Sequence, residues 1–440
     1  MENSLAIQVV VALAKCAFAV AFVMNIVPIL IWGERKFSAF IQDRPGPNRA
    51  HVMGIRAVGL VHTINDVVKL IMKEDVVPGH VEKGYWFVAP IIAMSVSLIT
   101  FAVIPFGDSL HLSDSLTVNL QVASINGGML YILAATSLGV YGIMLAGWAS
   151  NNKFSLLGGL RSSAQMVSYE LAMGLSVAVM FLMYGTPRLD EIVHAQSGSI
   201  LNWGIFSGPL GLVGILAFIL FWTSIFAETN RLPFDMPEGE AELVAGYHLE
   251  YSSLRFALFF MAEYAAMIVG SAVTSTLFFG GYDVPFLSGE AIRENADLIV
   301  MILGAGGAVT FPVFAALAWR RRNIRFYKAL PAGDPRLKEP MFWTVVWLGA
   351  AAAHAGLAAL GGLHMVSSVG VGPEIVAFVL QLTSLALKVL LGTFFMIWIR
   401  WTLPRFRYDQ VMNLGWRYML PLALANVLAA GLWVALTHNG

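Results

Sequence analysis

The sequence contains ten apolar segments, each about as long as a helix that crosses a lipid bilayer. They lie at about residues 5–32, 86–106, 127–149, 164–184, 205–226, 254–280, 297–319, 342–363, 373–399 and 416–436. Because a spanning helix needs ~20 mostly apolar residues, this pattern predicts an all-α, polytopic transmembrane helix bundle with about ten spans. Only 12% of the 440 residues are charged, against about 25% in soluble proteins. A water-soluble domain is therefore excluded.

The basic residues are distributed unevenly between the two sides of the predicted bundle. Ten crossings place both termini on one side and five loops on the other, at residues 33–85, 150–163, 227–253, 320–341 and 400–415. These loops carry 8, 2, 1, 7 and 3 lysines and arginines, which is 21 of the 27 in the chain. Basic loops stay on the cytoplasmic side, or on the matrix side in an organelle. We expect a bacterial inner-membrane protein with both termini in the periplasm.

The overall charge and the cysteine content limit the chemistry of the chain. The 27 basic and 27 acidic residues give a net charge of zero, which does not favour nucleic-acid binding. Cys16 is the only cysteine, and one cysteine cannot build an iron–sulfur cluster or a cysteine-based zinc site. We expect no metal site and no redox centre in this chain. Residues 1–440 are predicted to form one integral membrane domain surrounded by lipid.

An amphipathic helix is predicted within the first cytoplasmic loop, at residues 57–73. Its apolar side chains recur at helical spacing and share one face, and its polar side chains lie on the opposite face. The apolar set is Leu60, Val61, Ile64, Val67, Val68 and Ile71. Such a helix lies along the membrane interface. Simple surface anchoring remains the alternative to a functional role.

Three of the ionisable residues inside predicted spans are candidate functional residues. Glu170 lies in the fourth span, Glu263 in the sixth and Lys388 in the ninth. Charged groups are costly in a bilayer and are candidate functional sites by default. A structural, hydrogen-bonded carboxylate is the alternative for each glutamate, and a structural ion pair is the alternative for Lys388.

The densest set of ionisable residues follows the fifth span, at residues 227–242. Its five acidic residues surround a single arginine, Arg231; they are Glu228, Asp235, Glu238, Glu240 and Glu242. Like charges this close raise some of the carboxyl pKa values towards neutrality, which suits proton carriers. The helix dipole adds to this effect at Glu228, which ends a predicted helix. Metal binding is the weaker alternative, because the segment lacks histidine and the frame of a calcium loop.

Several motifs together resemble the family of H subunits of proton-pumping NADH–quinone oxidoreductase, respiratory complex I. They are Trp-Gly-Glu-Arg-Lys at 32–36, Asp-Arg-Pro-Gly-Pro-Asn-Arg at 43–49, the acidic segment with its continuation to residue 251, Phe-Phe-Met-Ala-Glu-Tyr at 259–264 and Leu-Pro-Arg-Phe-Arg-Tyr-Asp-Gln at 403–410. The motifs occur in family order. The resemblance covers about residues 5–280 and 373–436.

The resemblance implies roles for particular residues. It implies that Glu34, Arg35 and Asp66 lie at the quinone chamber or its entrance. It places Arg161, Glu170, Glu228, Arg231, Asp235, Glu238, Glu240, Glu242 and Glu263 in a proton-coupling path. Arg400, Arg405 and Arg407 would form a basic loop facing the peripheral arm. The implied functional loops are 33–85 and 227–253.

The resemblance also implies the surroundings of the chain. The implied partners are the peripheral-arm subunits at the quinone site and the small membrane subunits that lead to the antiporter-like subunits. Quinone would bind at the shared interface, while NADH, FMN and the iron–sulfur clusters belong to partner subunits. The implied enzyme is a proton-translocating NADH:ubiquinone or menaquinone reductase.

The sequence departs from the family pattern in two places. His62 and Asn65 replace the family's Gln and Ala in the amphipathic helix, which makes that surface more polar. Residues 281–372 add two predicted spans and a basic loop to a family core of eight helices, and the resemblance gives this insertion no role.

Two other functions fit part of the sequence. A secondary transporter or ion channel would also use buried glutamates and a lysine at the membrane midplane, but it would leave the motif-rich loops unexplained. The membrane subunit of a related energy-converting hydrogenase is the second alternative. Both remain open at the level of sequence.

Overall fold

The computed structural model describes residues 2–113 and 116–438. Two short antiparallel strands, β1 (Ser109–Ser113) and β2 (Leu116–Asn119), form a hairpin. The α-helices are α1 (Glu2–Ile41), α2 (Leu60–Met72), α3 (Lys83–Ile99), α4 (Gly128–Ala149), α5 (Lys153–Tyr184), α6 (Leu189–Ala195), α7 (Leu212–Glu228), α8 (Glu240–Leu243), α9 (Ser253–Phe278), α10 (Gly289–Glu294), α11 (Ala296–Arg320), α12 (Arg325–Lys328), α13 (Glu339–Gly362), α14 (Met365–Ser368), α15 (Gly372–Thr402), α16 (Tyr408–Asn413) and α17 (Leu420–His438).

The architecture confirms an all-α polytopic bundle. Within the described residues, nine helical segments are long and apolar enough to cross a membrane. The fifth predicted span, 205–226, is the exception: its helix is the 17-residue α7, and three-residue 3₁₀ turns precede it. Pro209 has no N–H to donate, and Gly211 has a left-handed backbone with φ 74°. The chain therefore enters α7 only at Leu212, and this helix is shorter than the usual bilayer span.

Three helices continue beyond the apolar segments that predict them. α1 runs to Ile41, so that Glu34 and Arg35 lie on a helix instead of in the loop predicted from residue 33. α5 begins at Lys153, where the side chain of Asn152 accepts a hydrogen bond from the backbone N–H of Phe154. α15 extends to Thr402. Hydropathy ends where polar residues begin, but a helix continues when its polar side chains find partners.

The predicted amphipathic helix is present as α2. Its apolar side chains Ile64, Val67, Val68 and Ile71 are 46–63% exposed, which leaves an apolar face uncovered by this chain. On its other face, Asp66 forms an ion pair with Arg35 of α1. The arrangement suits a helix that lies along a membrane interface.

The core of the bundle is formed where α1, α5, α7, α9, α15 and α17 contribute buried apolar side chains. α3 and α4 pack beside this core, and α4 also packs against α5. Close approach between helices uses small residues; for example, a Cβ on Gly142 of α4 would lie 3.0 Å from the backbone nitrogen of Ala93 of α3. This packing fixes α9 between α3 and α15.

The predicted insertion contains its two long helices, α11 and α13, which pack mainly against each other. The rings of Phe311 and Trp347 stack across the pair with centroids 5.6 Å apart. A buried ion pair joins this helical hairpin to the first connecting segment, with Arg56 Nε 2.6 Å from Glu339 Oε2. The hairpin is thus attached to the segment that follows α1.

We predict that the connection between α11 and α13 faces the cytoplasm, because its basic residues oppose translocation. In a chain in which Cys16 is replaced by Ser, Asn323→Cys should react with an impermeant thiol reagent only from the cytoplasmic side of sealed vesicles. Glu294→Cys, at the end of α10, should react only from the opposite side. Labelling of both cysteines from one side would contradict the predicted orientation.

Candidate functional site

A buried charge network lies where α1, α9 and α15 meet the segment that follows α7. Its first member is Glu34 of α1, which is 6% exposed. Arg400 of α15 donates to Glu34 Oε1 at 2.6 Å, and the Tyr264 hydroxyl of α9 donates to Glu34 Oε2 at 2.5 Å. Two helices thus supply a charged and a neutral donor to one carboxylate. Charge-assisted bonds of this kind are about twice as strong as neutral ones.

Arg231 occupies the centre of the network and is 3% exposed. Its Nη1 lies 3.6 Å from Glu34 Oε2, its Nη2 lies 3.8 Å from Glu263 Oε2, and its guanidinium stacks over the Tyr264 ring at 4.3 Å. Burial alone would lower the pKa of Arg231, but Tyr264 and the surrounding carboxylates raise it above its ordinary value. Arg231 is therefore a permanent positive charge between two carboxylates.

Glu263 of α9 has a second partner in Tyr247, which lies in a 3₁₀ turn after the acidic segment. The Tyr247 hydroxyl donates to Glu263 Oε1 at 3.3 Å. Burial and then the nearby Glu263 carboxylate raise the pKa of Tyr247 well above its ordinary value. The hydroxyl therefore keeps its proton and remains a donor to this carboxylate.

Asp235 lies in the acidic segment between the helices and is 4% exposed. Arg405 donates to Asp235 Oδ2 at 2.6 Å, and the backbone N–H of Glu238 donates to Oδ1 at 3.3 Å. Burial, with the Glu238 charge, raises the pKa of Asp235 to about 7, although Arg405 acts in the opposite direction. The Asp235 carboxyl therefore holds a proton more tightly than an ordinary aspartate does.

A cavity of about 110 Å³ adjoins the network between α3, α4, α5, α7 and α9. Both Glu228 and Glu263 line it, as do Asn230 and Tyr247, and apolar side chains form most of its remaining wall. The volume is enough for several water molecules, since about 10–15 Å³ of such space holds one. The cavity therefore joins two of the predicted carboxylates across an otherwise apolar region.

Neutral polar side chains position the start of the acidic segment. Ser162 of α5 donates to Asn230 Oδ1 at 3.1 Å, and Gln165 donates to the backbone carbonyl of Ala227 at 2.7 Å. Close packing holds the segment against α5 further along, because a Cβ on Gly158 of α5 would lie 2.9 Å from the Pro237 carbonyl oxygen. The acidic segment is therefore bound to α5 along its length.

Other predicted site residues lie apart from the network. Arg161 pairs with Glu242 at 2.7 Å, where the two side chains are 30% and 57% exposed. Arg407 pairs with Asp409 at 3.0 Å, and both side chains are more than two-thirds exposed. The Arg35–Asp66 pair is also partly exposed, with side chains 45% and 37% accessible.

The remaining predicted residues have separate surroundings. Glu170 accepts a hydrogen bond from Ser137 of α4. Lys388 donates to the backbone carbonyls of Gly281 at 2.8 Å and Asp283 at 2.7 Å, so backbone oxygens are its nearest acceptors. The Glu240 side chain lies outside the described residues. Within the described part of the chain, no three His, Cys, Asp or Glu residues form a group that could hold a metal ion.

Sequence reasoning misses the neutral members of the site. Tyr247 and Tyr264 lie within the motifs but receive no role there, and Ser162, Gln165 and Asn230 do not stand out. A signal for them exists: tyrosine hydroxyls and amides within apolar helices need hydrogen-bond partners when buried. Only the structure shows that the partners are the predicted acids and the acidic segment.

The comparison with protein families identifies the chain. The NADH dehydrogenase family model matches residues 14–334 and 335–431. The chain belongs to this family. Over 427 residues it is 42% identical to an NADH-quinone oxidoreductase H subunit of Solibacter usitatus, and the alignment covers 97% of each chain. It is 40% identical to the corresponding H subunit of Leptospira biflexa over 414 residues, covering 92% of this chain and 90% of the relative.

A third relative extends the likeness along almost the whole sequence. An NADH-quinone oxidoreductase H subunit of Koribacter versatilis is 37% identical over 446 aligned positions, which cover 99% of both chains. The family resemblance drawn from the motifs is thereby confirmed. Together with the nine long apolar helices among the described residues, it identifies the chain as an integral membrane protein.

We predict that Asp235 takes up a proton near pH 7. Its pKa is raised from 3.8 to about 7, so folding favours the neutral carboxyl, and its contribution to stability is lost as the pH rises through 7. In pH-difference infrared spectra of the purified complex, a protonated-carboxyl band should titrate near neutrality. Asp235→Asn should remove this band, whereas Asp409→Asn, at an exposed carboxylate, should retain it. A band unchanged in Asp235→Asn would contradict the assignment.

Proposed function

We propose that the chain is the membrane subunit of an NADH–quinone oxidoreductase, and that it helps to form the quinone chamber and couples quinone reduction to proton translocation. The carrying observation is the buried network of Glu34, Arg231 and Glu263, which adjoins the cavity that contains Glu228. The names of the relatives, which are subunits of such an enzyme, support the same assignment.

The proposal assigns electron carriers to other chains. NADH, FMN and iron–sulfur clusters would be bound by peripheral-arm subunits, and this chain would contribute shape, charge and proton access. Further membrane subunits would continue the path towards the antiporter-like subunits. The chain would lie in a bacterial inner membrane with both termini in the periplasm.

Quinone reduction develops negative charge on the headgroup oxygens and requires protons. We place Arg35 and Asp66 at the chamber because they form a partly exposed pair between α1 and α2. A fixed cation there would stabilise the developing charge, and the carboxylate would orient the cation. Glu34 lies on the same helix but joins the buried network instead, so α1 connects the two regions.

The network offers a physical route from charge to proton transfer. Arg231 is 3.6 Å from a Glu34 oxygen and 3.8 Å from a Glu263 oxygen, which exceeds the usual length of a hydrogen bond. Protonation of Glu34 or Glu263 would remove the attraction between that carboxyl group and Arg231. Arg231 would then be attracted mainly by the carboxylate that is still charged. Glu263 would then exchange its proton with Glu228 through the shared cavity.

Arg405 and Asp235 would form the part of this route nearest the peripheral arm. Arg405 follows the end of α15, and Arg400 lies in the last turn of that helix. Arg400 is itself hydrogen-bonded to Glu34. A change in charge at Asp235 would therefore act on the same group of cations that holds Glu34 in place.

We predict that Glu228→Gln and Glu263→Gln each lower quinone-linked turnover and proton pumping by ~100-fold, the scale on which acid–base groups contribute. Glutamine keeps the size and hydrogen bonding of glutamate but cannot release a proton. The corresponding Asp variants keep the titratable group and should retain partial activity. Turnover and pumping are measured on vesicles in which native gels show the assembled complex.

The control for these variants is Glu294→Gln, because Glu294 is an exposed residue at the end of α10. It should leave turnover and pumping unchanged. Normal rates and proton-to-electron ratios in both Gln variants would remove Glu228 and Glu263 from the path.

We predict that Arg35→Ala and Asp66→Asn reduce quinone-linked turnover by ~10-fold or more, because loss of an electrostatic stabiliser acts on the reduced headgroup. Electron transfer from NADH to a water-soluble acceptor should persist, since it precedes the quinone step. Both activities are assayed on the same membranes. An equal loss of both would show failed assembly or a remote effect and would contradict a local role at the quinone.

A further inference from the structure

A large groove lies between the α11–α13 hairpin and the segment that follows α1. We call it the hairpin groove; its volume is about 840 Å³. One wall is formed by α1 and the connection to α2, and the other by the adjoining ends of α11 and α13. The groove is separate from the cavity that contains Glu228 and Glu263, since the two share no lining residue.

One part of the hairpin groove is apolar and partly open. Phe314 and Leu317 of α11 are 47% and 51% exposed. Trp343 and Trp347 of α13 line the same wall, and the Trp347 ring packs against that of Phe314 with centroids 5.5 Å apart. Tryptophan is typical of the membrane–water interface. An apolar surface of this kind can pack against the part of a lipid acyl chain nearest the headgroup.

The other part of the groove carries excess positive charge. Three cations, Lys36, Arg56 and Arg321, line it together with one carboxylate, Glu339. Arg56 is paired with Glu339 at 2.6 Å, so two positive charges remain uncompensated by the lining. The exposed Arg321 guanidinium has no ion-pair partner in the described parts of the chain.

The buried cations also retain unused hydrogen-bond donors. Arg56 is 6% exposed, and its Nη1 is buried without a hydrogen-bond partner among the described residues. Lys36 is 8% exposed and donates one bond, to the Pro45 carbonyl at 2.9 Å, although an ammonium has three donors. Buried donors without partners are uncommon in native structures. They indicate an acceptor that this chain does not supply.

We propose that the hairpin groove binds one anionic phospholipid, with the headgroup phosphate at Lys36, Arg56 and Arg321 and the acyl chains along Phe314 and Trp347. The phosphate would supply negative charge and the missing acceptors together. Basic pockets between spanning helices bind lipid headgroups by this chemistry. A quinone headgroup is neutral before reduction and would leave the two positive charges uncompensated.

The proposed site also explains the attachment of the hairpin. Only 11% of the apolar stretch of α11 and 6% of that of α13 is buried inside the chain. Besides each other, the two helices contact α14, α15 and, through Glu339, Arg56. A lipid in the groove would contact both the hairpin and α1. Its acyl chains would contact the apolar part of the groove, and its phosphate would contact the basic part.

The test measures phospholipid binding to the purified complex in nanodiscs that contain phosphatidylcholine and a small fraction of phosphatidylglycerol. Arg321→Gln should weaken retention of phosphatidylglycerol about fivefold, which corresponds to ~1 kcal/mol for one basic residue near a lipid headgroup. Arg320→Gln removes the same charge one residue earlier, outside the groove lining, and should bind like the native chain. Equal retention by the two variants would overturn the proposal.

Two further measurements locate and identify the occupant. Photoreactive phosphatidylglycerol should label peptides of α11 and α13 in the native complex, and this labelling should fall with excess phosphatidylglycerol but persist with inorganic phosphate or phosphatidylcholine. Displacement by inorganic phosphate would indicate a free-anion site, and equal displacement by phosphatidylcholine would indicate nonspecific lipid; either result contradicts the proposal. Absence of label from both helices would also contradict it, even if Arg321→Gln failed to assemble.

Discussion

The burial of Arg231 among carboxylates is the constraint on which the arrangement of the surrounding helices depends. A guanidinium that is 3% exposed needs opposite charge nearby, and here Glu34 comes from α1 and Glu263 from α9. Glu34 in turn requires Arg400 of α15. Removing one partner from a buried ion pair costs about 3–5 kcal/mol, because the other charge is left uncompensated. The ends of three helices and the acidic segment must therefore meet in one arrangement.

The bilayer makes most of the fold predictable from sequence, because a spanning helix must be long and apolar. The helix ends are less predictable. Hydropathy ends the first span at residue 32 and the ninth at 399, yet both helices continue through the polar residues that bear Glu34 and Arg400. Those turns are stabilised by pairing between helices, which a local apolar pattern cannot detect. At α7 the apolar segment is longer than the helix at its start, because Pro209 and Gly211 keep the chain from entering α7 before Leu212.

The sequence predicts which acidic and basic residues belong to the site, but it does not predict which of them are buried and which are exposed. Acidic residues that are neighbours in sequence have different environments: Asp235 is 4% exposed, whereas the Glu242 side chain is 57% exposed. The same holds for the basic motif, in which Arg405 reaches Asp235 and Arg407 pairs with exposed Asp409. Side-chain direction depends on how the segment turns against α5 and α15. Tyr247 and Tyr264 resemble ordinary core aromatics in sequence, because only their hydroxyl partners distinguish them.

Buried ion pairs of this kind are weak evidence for stability, since desolvation offsets much of their attraction. Their geometry here is more informative than their number. Glu34 has two short hydrogen bonds from Arg400 and Tyr264, whereas Glu263 has one longer bond from Tyr247 and a more distant arginine. The first arrangement fixes the position of α1 against α9 and α15. The second leaves a carboxylate beside a cavity with weaker partners, so a change in its charge would break fewer short hydrogen bonds than a change at Glu34.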